Sequence, residues 1–259
     1  MKERILEELK EIEEKQNVKI IYAAESGSRA WGFASTDSDY DVRFIYIRKP
    51  SYYLKLEKTK DVIEWRLDDT LDINGWDLKK ALKLLYTSNP TLFEWSNSPI
   101  VYKTTDFYEE LKTEIYKYFS CKSGLYHYLN TAKSNYREYL KTDFVKAKKY
   151  FYVLRPILAC RWIMENKNPP PMLFSKLVET QLEEEMIPVI NKLLDIKINS
   201  KEVKEIERID ILNEFIDKNI VKIQEEVLKI YDPKDNKYDK LNDIFLKGLD
   251  EFYGIKISN

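Results

Sequence analysis

The chain has 259 residues, of which 44% are hydrophobic and 34% are charged, and its formal net charge is −1. This length predicts one large domain or two modest ones with a true hydrophobic core, and the near-zero net charge gives no indication of bulk attraction to nucleic acid or membranes. With one histidine and two distant cysteines, Cys121 and Cys160, no structural zinc site is expected and the thiols are predicted to be reduced.

Residues 1–100 mix helical and strand patterns. Apolar residues at helical spacing predict a first helix over 2–16, and an apolar run predicts a buried strand over 18–24. The remaining elements predicted here are a short helix from Ser28 to about Phe33, strands over 40–47, 62–66 and 70–73, a helix starting at Gly75-Trp76-Asp77 and ending near Tyr86, and a helix over 89–95.

From about residue 105 the patterns are almost wholly helical. The predicted helices cover 105–119, 122–140, 144–166, 172–178, 180–195, 201–230 and 238–251. We therefore place a boundary near residue 100, between an α/β part (1–100) and a helical part (101–259). The charged start shows no secretory signal, and no run of about 18 apolar residues occurs. The chain is thus expected to be cytoplasmic and to have no membrane span.

A glycine-serine turn followed by two spaced aspartates is the most informative motif. Gly27 and Ser28 follow the first predicted strand, and Asp39 and Asp41 begin an apolar strand about ten residues later. Side chains at i and i+2 of a strand share a face, so the two carboxylates can bind one divalent metal. The glycine, the backbone amides, the Ser28 hydroxyl and the Arg29 guanidinium can hold a phosphate.

A third carboxylate, Asp72, lies between two apolar residues of a predicted short strand and points to the opposite face from them. If that strand neighbours the strand over 40–47, Asp72 joins Asp39 and Asp41. Three packed carboxylates repel one another unless cations neutralise them, which implies one or two Mg²⁺, with Mn²⁺ as a possible substitute. Metals so placed serve an in-line displacement at phosphorus. The alternatives for Asp72 are a helix N-cap or a turn residue.

These residues resemble the signature of the nucleotidyltransferase superfamily that includes DNA polymerase β. The longer strings 27–35 and 72–80 resemble predicted nucleotidyltransferases of the YcgL type, a grouping with members associated with RNA repair. The similarity covers roughly residues 20–180. It implies an α+β protein, with a catalytic domain in 1–100 (a mixed sheet flanked by helices) and an all-helical domain for nucleotide or acceptor binding in 101–259. It further implies that Asp39, Asp41 and Asp72 bind metal and that Ser28 binds triphosphate.

A basic, aromatic stretch follows the predicted boundary. Residues 121–170 carry ten basic and three acidic side chains. Lys148, Tyr152 and Arg155 lie at i, i+4 and i+7 of a predicted helix and so share one face. That face either stacks a base and binds phosphate, or packs its aromatics in the core while the cations reach water. The sequence leaves both interpretations open, so these three residues are candidate nucleotide ligands only.

The leading hypothesis is a transfer of NMP from an NTP to a hydroxyl acceptor with release of pyrophosphate. ATP is the default donor on abundance alone. The acceptor is undetermined, with an RNA end or a protein as candidates, and the oligomeric state is undetermined. The alternatives are a protein adenylyltransferase of the toxin–antitoxin type and a non-catalytic protein that binds nucleotide or RNA.

Overall fold

The computed structural model describes residues 1–199, 204–232 and 238–254, apart from the side chains of residues 66 and 67. The helices within this part are, in chain order, α1 (Lys2–Gln16), α2 (Gly27–Ala30), α3 (Pro50–Tyr53), α4 (Leu78–Tyr86), α5 (Pro90–Ser96), α6 (Asp106–Ile115), α7 (Cys121–Tyr139), α8 (Ala147–Asn166), α9 (Phe174–Gln181), α10 (Ile187–Asn199), α11 (Asp210–Lys229) and α12 (Tyr238–Tyr253). The strands are β1 (Val18–Glu25), β2 (Tyr40–Arg48), β3 (Val62–Asp68), β4 (Leu71–Asp77), β5 (Val101–Lys103), β6 (Phe144–Lys146) and β7 (Glu205–Glu207). The expected α+β class is confirmed.

Five strands form one mixed sheet in the order β3-β4-β2-β1-β5. The β1–β2, β1–β5 and β3–β4 pairs are antiparallel, whereas β2 and β4 run parallel. Because β2 and β4 are parallel neighbours, they begin at the same edge of the sheet and their first residues lie side by side. This pairing positions the aspartates discussed below.

The contacts divide the described chain into two compact units, which we describe separately. The first contains residues 1–27, 39–118 and 238–254 and includes the five-stranded sheet. One face of that sheet is apolar and lies against α1, whose Ile5, Leu9 and Ile12 share a helical face and are fully or almost fully buried. The opposite face carries the next side chain along each strand, and there Asp41, Arg43 and Asp72 lie.

The second unit contains residues 28–38, 119–199 and 204–232. Its core is built around α8, which is buried along most of its length and packs against α7, α9, α10 and α11. The short strands β6 and β7 pair antiparallel within it. Cys121 and Cys160 are both free thiols. Within the described residues, no helix is both long and apolar enough to cross a membrane.

These units differ from the predicted division at residue 100. The loop 28–38 joins the helical unit because Phe33 inserts into its core, where its ring centroid lies 4.8 Å from that of Phe151 and 5.4 Å from that of Phe174. Conversely, α12 packs on the sheet unit, where Gly248 closely approaches Ile47. Both contacts join residues far apart in sequence, so local patterns could not predict them.

Several element boundaries also differ from prediction. Gly75 does not begin a helix: β4 continues through it to Asp77, and α4 begins at Leu78 with the Asp77 carboxylate accepting a hydrogen bond from the Lys79 amide. The three-residue strands were missed because so short a segment shows no periodicity. Residues 201–203 of the predicted helix over 201–230 lie outside the described part, and the helix there begins at Asp210.

Candidate active site

The parallel pairing of β2 with β4 places Asp41 directly opposite Asp72. Their neighbours Val42 and Ile73 are fully buried in the core under α1. Side chains alternate along a strand, so the two carboxylates lie together on the other face of the sheet. They are partly accessible, with 31% of the Asp41 side chain and 46% of the Asp72 side chain exposed. Asp39 is exposed and immediately precedes β2.

Arg43 bridges the two paired carboxylates and was not among the site residues predicted from the sequence. Its Nη2 atom donates hydrogen bonds to Asp41 Oδ1 and to Asp72 Oδ2, each at 2.9 Å. Its Nη1 atom donates to the backbone carbonyls of Val42 and Asp72 at 3.0 and 3.2 Å. The spacing was a usable signal, since Arg43 follows Asp41 by two residues in the same strand and therefore shares its face.

Gly27 makes room for the carboxylate of Asp41. Its φ of +59° is a left-handed backbone conformation that favours glycine. A Cβ atom at this position would lie 2.1 Å from Asp41 Oδ2, closer than non-bonded atoms approach. The preceding residue, Ser26, donates its backbone N–H to the Asp41 carbonyl at 2.8 Å. The turn therefore fixes the position of Asp41, a role that the sequence analysis did not assign to Gly27.

Glu25 is a second residue of the site that was not predicted from the sequence. It ends β1, is only 1% exposed, and accepts a hydrogen bond from the Asp41 backbone N–H on Oε1 at 2.7 Å. Its other oxygen, Oε2, accepts from the Tyr102 hydroxyl. A charged residue directly after the buried run from Ile20 to Ala24 was the available signal. Glu25 thus holds the start of β2 beside the end of β1.

The electrostatics of Asp41 reflect this crowding. Burial raises the pKa of Asp41, the Arg43 guanidinium lowers it, and the charges of Asp72 and Asp39 raise it again. The charges of Asp39 and Asp72 therefore act on the Asp41 carboxylate. Carboxylate oxygens are the donors that Mg²⁺ prefers, so the chemistry of the set fits that ion. In the described residues, however, no three acidic, histidine or cysteine side chains are arranged as a complete metal cluster.

Ser28 and Arg29 belong to the second unit. The predicted helix from Ser28 to Phe33 ends at Ala30, because Gly32 adopts φ +87° and the Phe33 N–H returns to the Ser28 carbonyl at 3.2 Å. The Arg29 guanidinium, a predicted phosphate ligand, donates to the Ser38 carbonyl at 2.7 Å. The loop from 28 to 38 is therefore closed by its own hydrogen bonds.

A buried lysine also holds this loop within the second unit. Lys197, on α10, is 5% exposed, and its Nζ atom lies 3.0 Å from Ser35 Oγ and 3.1 Å from Ser38 Oγ. The two serines are themselves buried and hydrogen-bond to each other. Residue Lys197 lies about 160 positions beyond the loop in sequence, so no local pattern pointed to it.

The three candidates on α8 are placed differently from one another. Arg155 is 3% exposed, with its guanidinium carbon 4.8 Å from the centroid of the Trp31 ring, and it packs in the core of the second unit. Tyr152 and Lys148 are half-buried, and the Tyr152 ring meets the same Trp31 edge-on. Arg155 and Tyr152 thus contact the same ring, but Arg155 is buried whereas Tyr152 and Lys148 are partly accessible. A role for the three in nucleotide binding stays a prediction.

Comparisons with known proteins indicate the same family as the motif. Residues 1–247 match the model of a family described as the RNA repair pathway DNA polymerase beta family, RlaP. The protein YcgL of Bacillus subtilis (strain 168) is 45% identical over 258 residues, covering 98% of each chain. A crystal structure of a nucleotidyltransferase-like protein from Exiguobacterium sibiricum 255-15 covers 96% of this chain and 81% of its own, at 12% identity and a TM-score of 0.32, too low to assign a shared fold.

The match to the family model extends over nearly the whole chain, and it includes the turn and all three aspartates. The resemblance drawn from these residues is thereby confirmed. The chain belongs to the RNA repair pathway DNA polymerase beta family and is a nucleotidyltransferase-like protein of the DNA polymerase β superfamily.

Proposed function

We propose that this protein is an Mg²⁺-dependent nucleotidyltransferase that moves an NMP group from an NTP to a hydroxyl acceptor. The observation that carries the proposal is the side-by-side placement of Asp41 and Asp72 on β2 and β4, with Asp39 one residue before β2. An RNA end is the acceptor that we favour, because the family is described as belonging to an RNA repair pathway. ATP is the default donor.

In the proposed reaction the acceptor oxygen attacks the α-phosphorus of the NTP. A new O–Pα bond forms, the bond from Pα to the bridging oxygen of the β-phosphate breaks, and its electron pair leaves with pyrophosphate. The hydroxyl proton passes to the carboxylate of Asp72, the more exposed of the paired acids, and from there to water. Arg43 holds both carboxylates in place throughout, and Glu25 holds the backbone of Asp41.

Asp39 and Asp41 are the proposed ligands of Mg²⁺, with one ion or two depending on whether Asp72 also binds one. Bound Mg²⁺ supplies neutralisation of the triphosphate and of the departing pyrophosphate. Mn²⁺ prefers the same oxygen donors and should replace it. Ser28 and Arg29, which follow Gly27 in the sequence, stay the predicted ligands of the β- and γ-phosphates.

The test is a transfer assay with a matched control. Wild-type protein is incubated with each α-³²P-labelled NTP, Mg²⁺ and total cellular RNA, and the label is located by nuclease and protease digestion. The expected result is nuclease-sensitive label and released pyrophosphate. The double variant Asp39→Asn/Asp41→Asn should lose transfer, whereas Asp61→Asn, an exposed acid paired with Lys80 on the same unit, should keep it.

Two outcomes would contradict the proposal. Full transfer by the folded double variant would remove the carboxylates from the chemistry. Nucleotide binding without pyrophosphate release, across RNA and lysate acceptors, would indicate a non-catalytic binding protein. Protease-sensitive label would keep the chemistry but move the acceptor from RNA to protein.

A further inference from the structure

The Arg43 guanidinium makes more hydrogen bonds than a simple surface ion pair would. It makes four hydrogen bonds, two to carboxylate oxygens and two to backbone carbonyls, and only 19% of the Arg43 side chain is exposed. The two carbonyl contacts fix the guanidinium plane relative to β2 and β4. The Nη2 group that they orient then lies at equal distances, 2.9 Å, from Asp41 and Asp72.

Nη2 lies between Asp41 Oδ1 and Asp72 Oδ2, so a cation held by these same two oxygens would have to displace it. The guanidinium of Arg43 carries a full positive charge. A divalent ion between the same two carboxylate oxygens would meet this charge at close range, and Asp41 Oδ1 and Asp72 Oδ2 are already bonded to it. The bridging position is therefore already filled by a group of the protein itself.

We infer that Arg43 takes the place of a second metal ion, so that the site binds one divalent cation, with the nucleotide, through Asp39 and Asp41. This inference rests on the proposed function and specifies the cation count of that site. Asp72 then serves as the partner of Arg43 and as the acceptor of the hydroxyl proton, without binding metal. Arg43 supplies the positive charge that keeps the two carboxylates together, and it does so with or without nucleotide.

Counting bound Mn²⁺ tests the inference independently of catalysis. The folded protein is dialysed to equilibrium against Mn²⁺ with α,β-methylene-ATP, a non-hydrolysable donor analogue, on both sides of the membrane. The excess Mn²⁺ on the protein side is measured per chain. We expect one Mn²⁺ for the wild type and two for Arg43→Gln, because the glutamine frees both carboxylates. Arg208→Gln, which breaks an exposed 2.8 Å pair with Asp210, should retain one.

Asp72→Asn provides a second arm that does not depend on the folding of the Arg43 variant. If Asp72 bonds Arg43 and no metal, this variant still binds one Mn²⁺ with wild-type affinity, and a tenfold or larger loss of Mn²⁺ affinity overturns the inference. Two Mn²⁺ on the wild type, or one on both wild type and Arg43→Gln, also overturns it and leaves the proposed transferase intact. No Mn²⁺ on any form would instead contradict the proposed function and the inference with it.

Discussion

Replacing Gly27 with alanine tests the positioning of Asp41 directly. The new Cβ would lie 2.1 Å from Asp41 Oδ2, so the carboxylate must move by about 1 Å to reach an ordinary contact. A misplacement of about 1 Å at a reacting group can reduce the rate by about 100-fold. The left-handed φ of +59° adds a separate cost of about 1–2 kcal/mol to folding.

The matched control is Gly32→Ala. Gly32 also has a positive φ, +87°, but its Cβ would meet only the flexible end of the Leu173 side chain, at 3.1 Å. Both variants should lose about 1–2 kcal/mol of unfolding free energy in urea titrations. Gly27→Ala alone should lose about 100-fold in the rate of label transfer from α-³²P-labelled NTP. Equal transfer by the two folded variants would refute the argument that Gly27 serves Asp41.

Three further predictions concern the sheet unit. Burial raises the pKa of Asp77, which is 2% exposed, to about 6. Between about pH 4 and 6 the folded state therefore binds more protons than the unfolded state. The free energy of unfolding then falls by about 3 kcal/mol as the pH rises through that window. Asp77→Asn should therefore gain up to about 3 kcal/mol over the wild type at pH 7 but only about 1 kcal/mol at pH 4.5 in urea titrations, and an equal difference at both pH values would contradict this. Tyr102→Phe removes a donor from the buried Glu25 carboxylate and should cost about 1–3 kcal/mol, whereas an unchanged urea midpoint would show that this bond does not matter. Gly75→Ala would place a Cβ 2.2 Å from the buried Phe44 ring and should cost at least about 1–3 kcal/mol, so an unchanged melting temperature would count against the close β2–β4 packing.

The elements around the motif were predictable because each has a strong local signal. The apolar stripe of α1, the buried run of β1 and the Asp-x-Asp start of β2 all lie where the patterns indicate. The spacing of Asp39 and Asp41 is likewise a local property of one strand. These signals depend on periodicity and on turn residues, which a single sequence displays directly.

Other features depend on which strands and helices come together in space. Gly75 looks like a helix start in sequence, but the approach of the Phe44 ring from β2 requires a residue without Cβ inside β4. From the sequence, Asp72 could be predicted to lie beside Asp41 only by assuming that their strands are neighbours. The bridging role of Arg43 becomes visible only once that pairing is known. Phe33 likewise joins the helical unit through rings more than a hundred residues away.

In the proposed mechanism, the carboxylates at the start of β2 hold a divalent metal together with a nucleotide. The most direct measurement is a crystal structure of the wild type with Mn²⁺ and α,β-methylene-ATP, in which anomalous scattering locates the metal. We expect an Mn²⁺ peak coordinated by oxygens of Asp39, Asp41 and the bound triphosphate. A triphosphate bound away from these side chains, or an Mn²⁺ peak that touches neither aspartate, would contradict it.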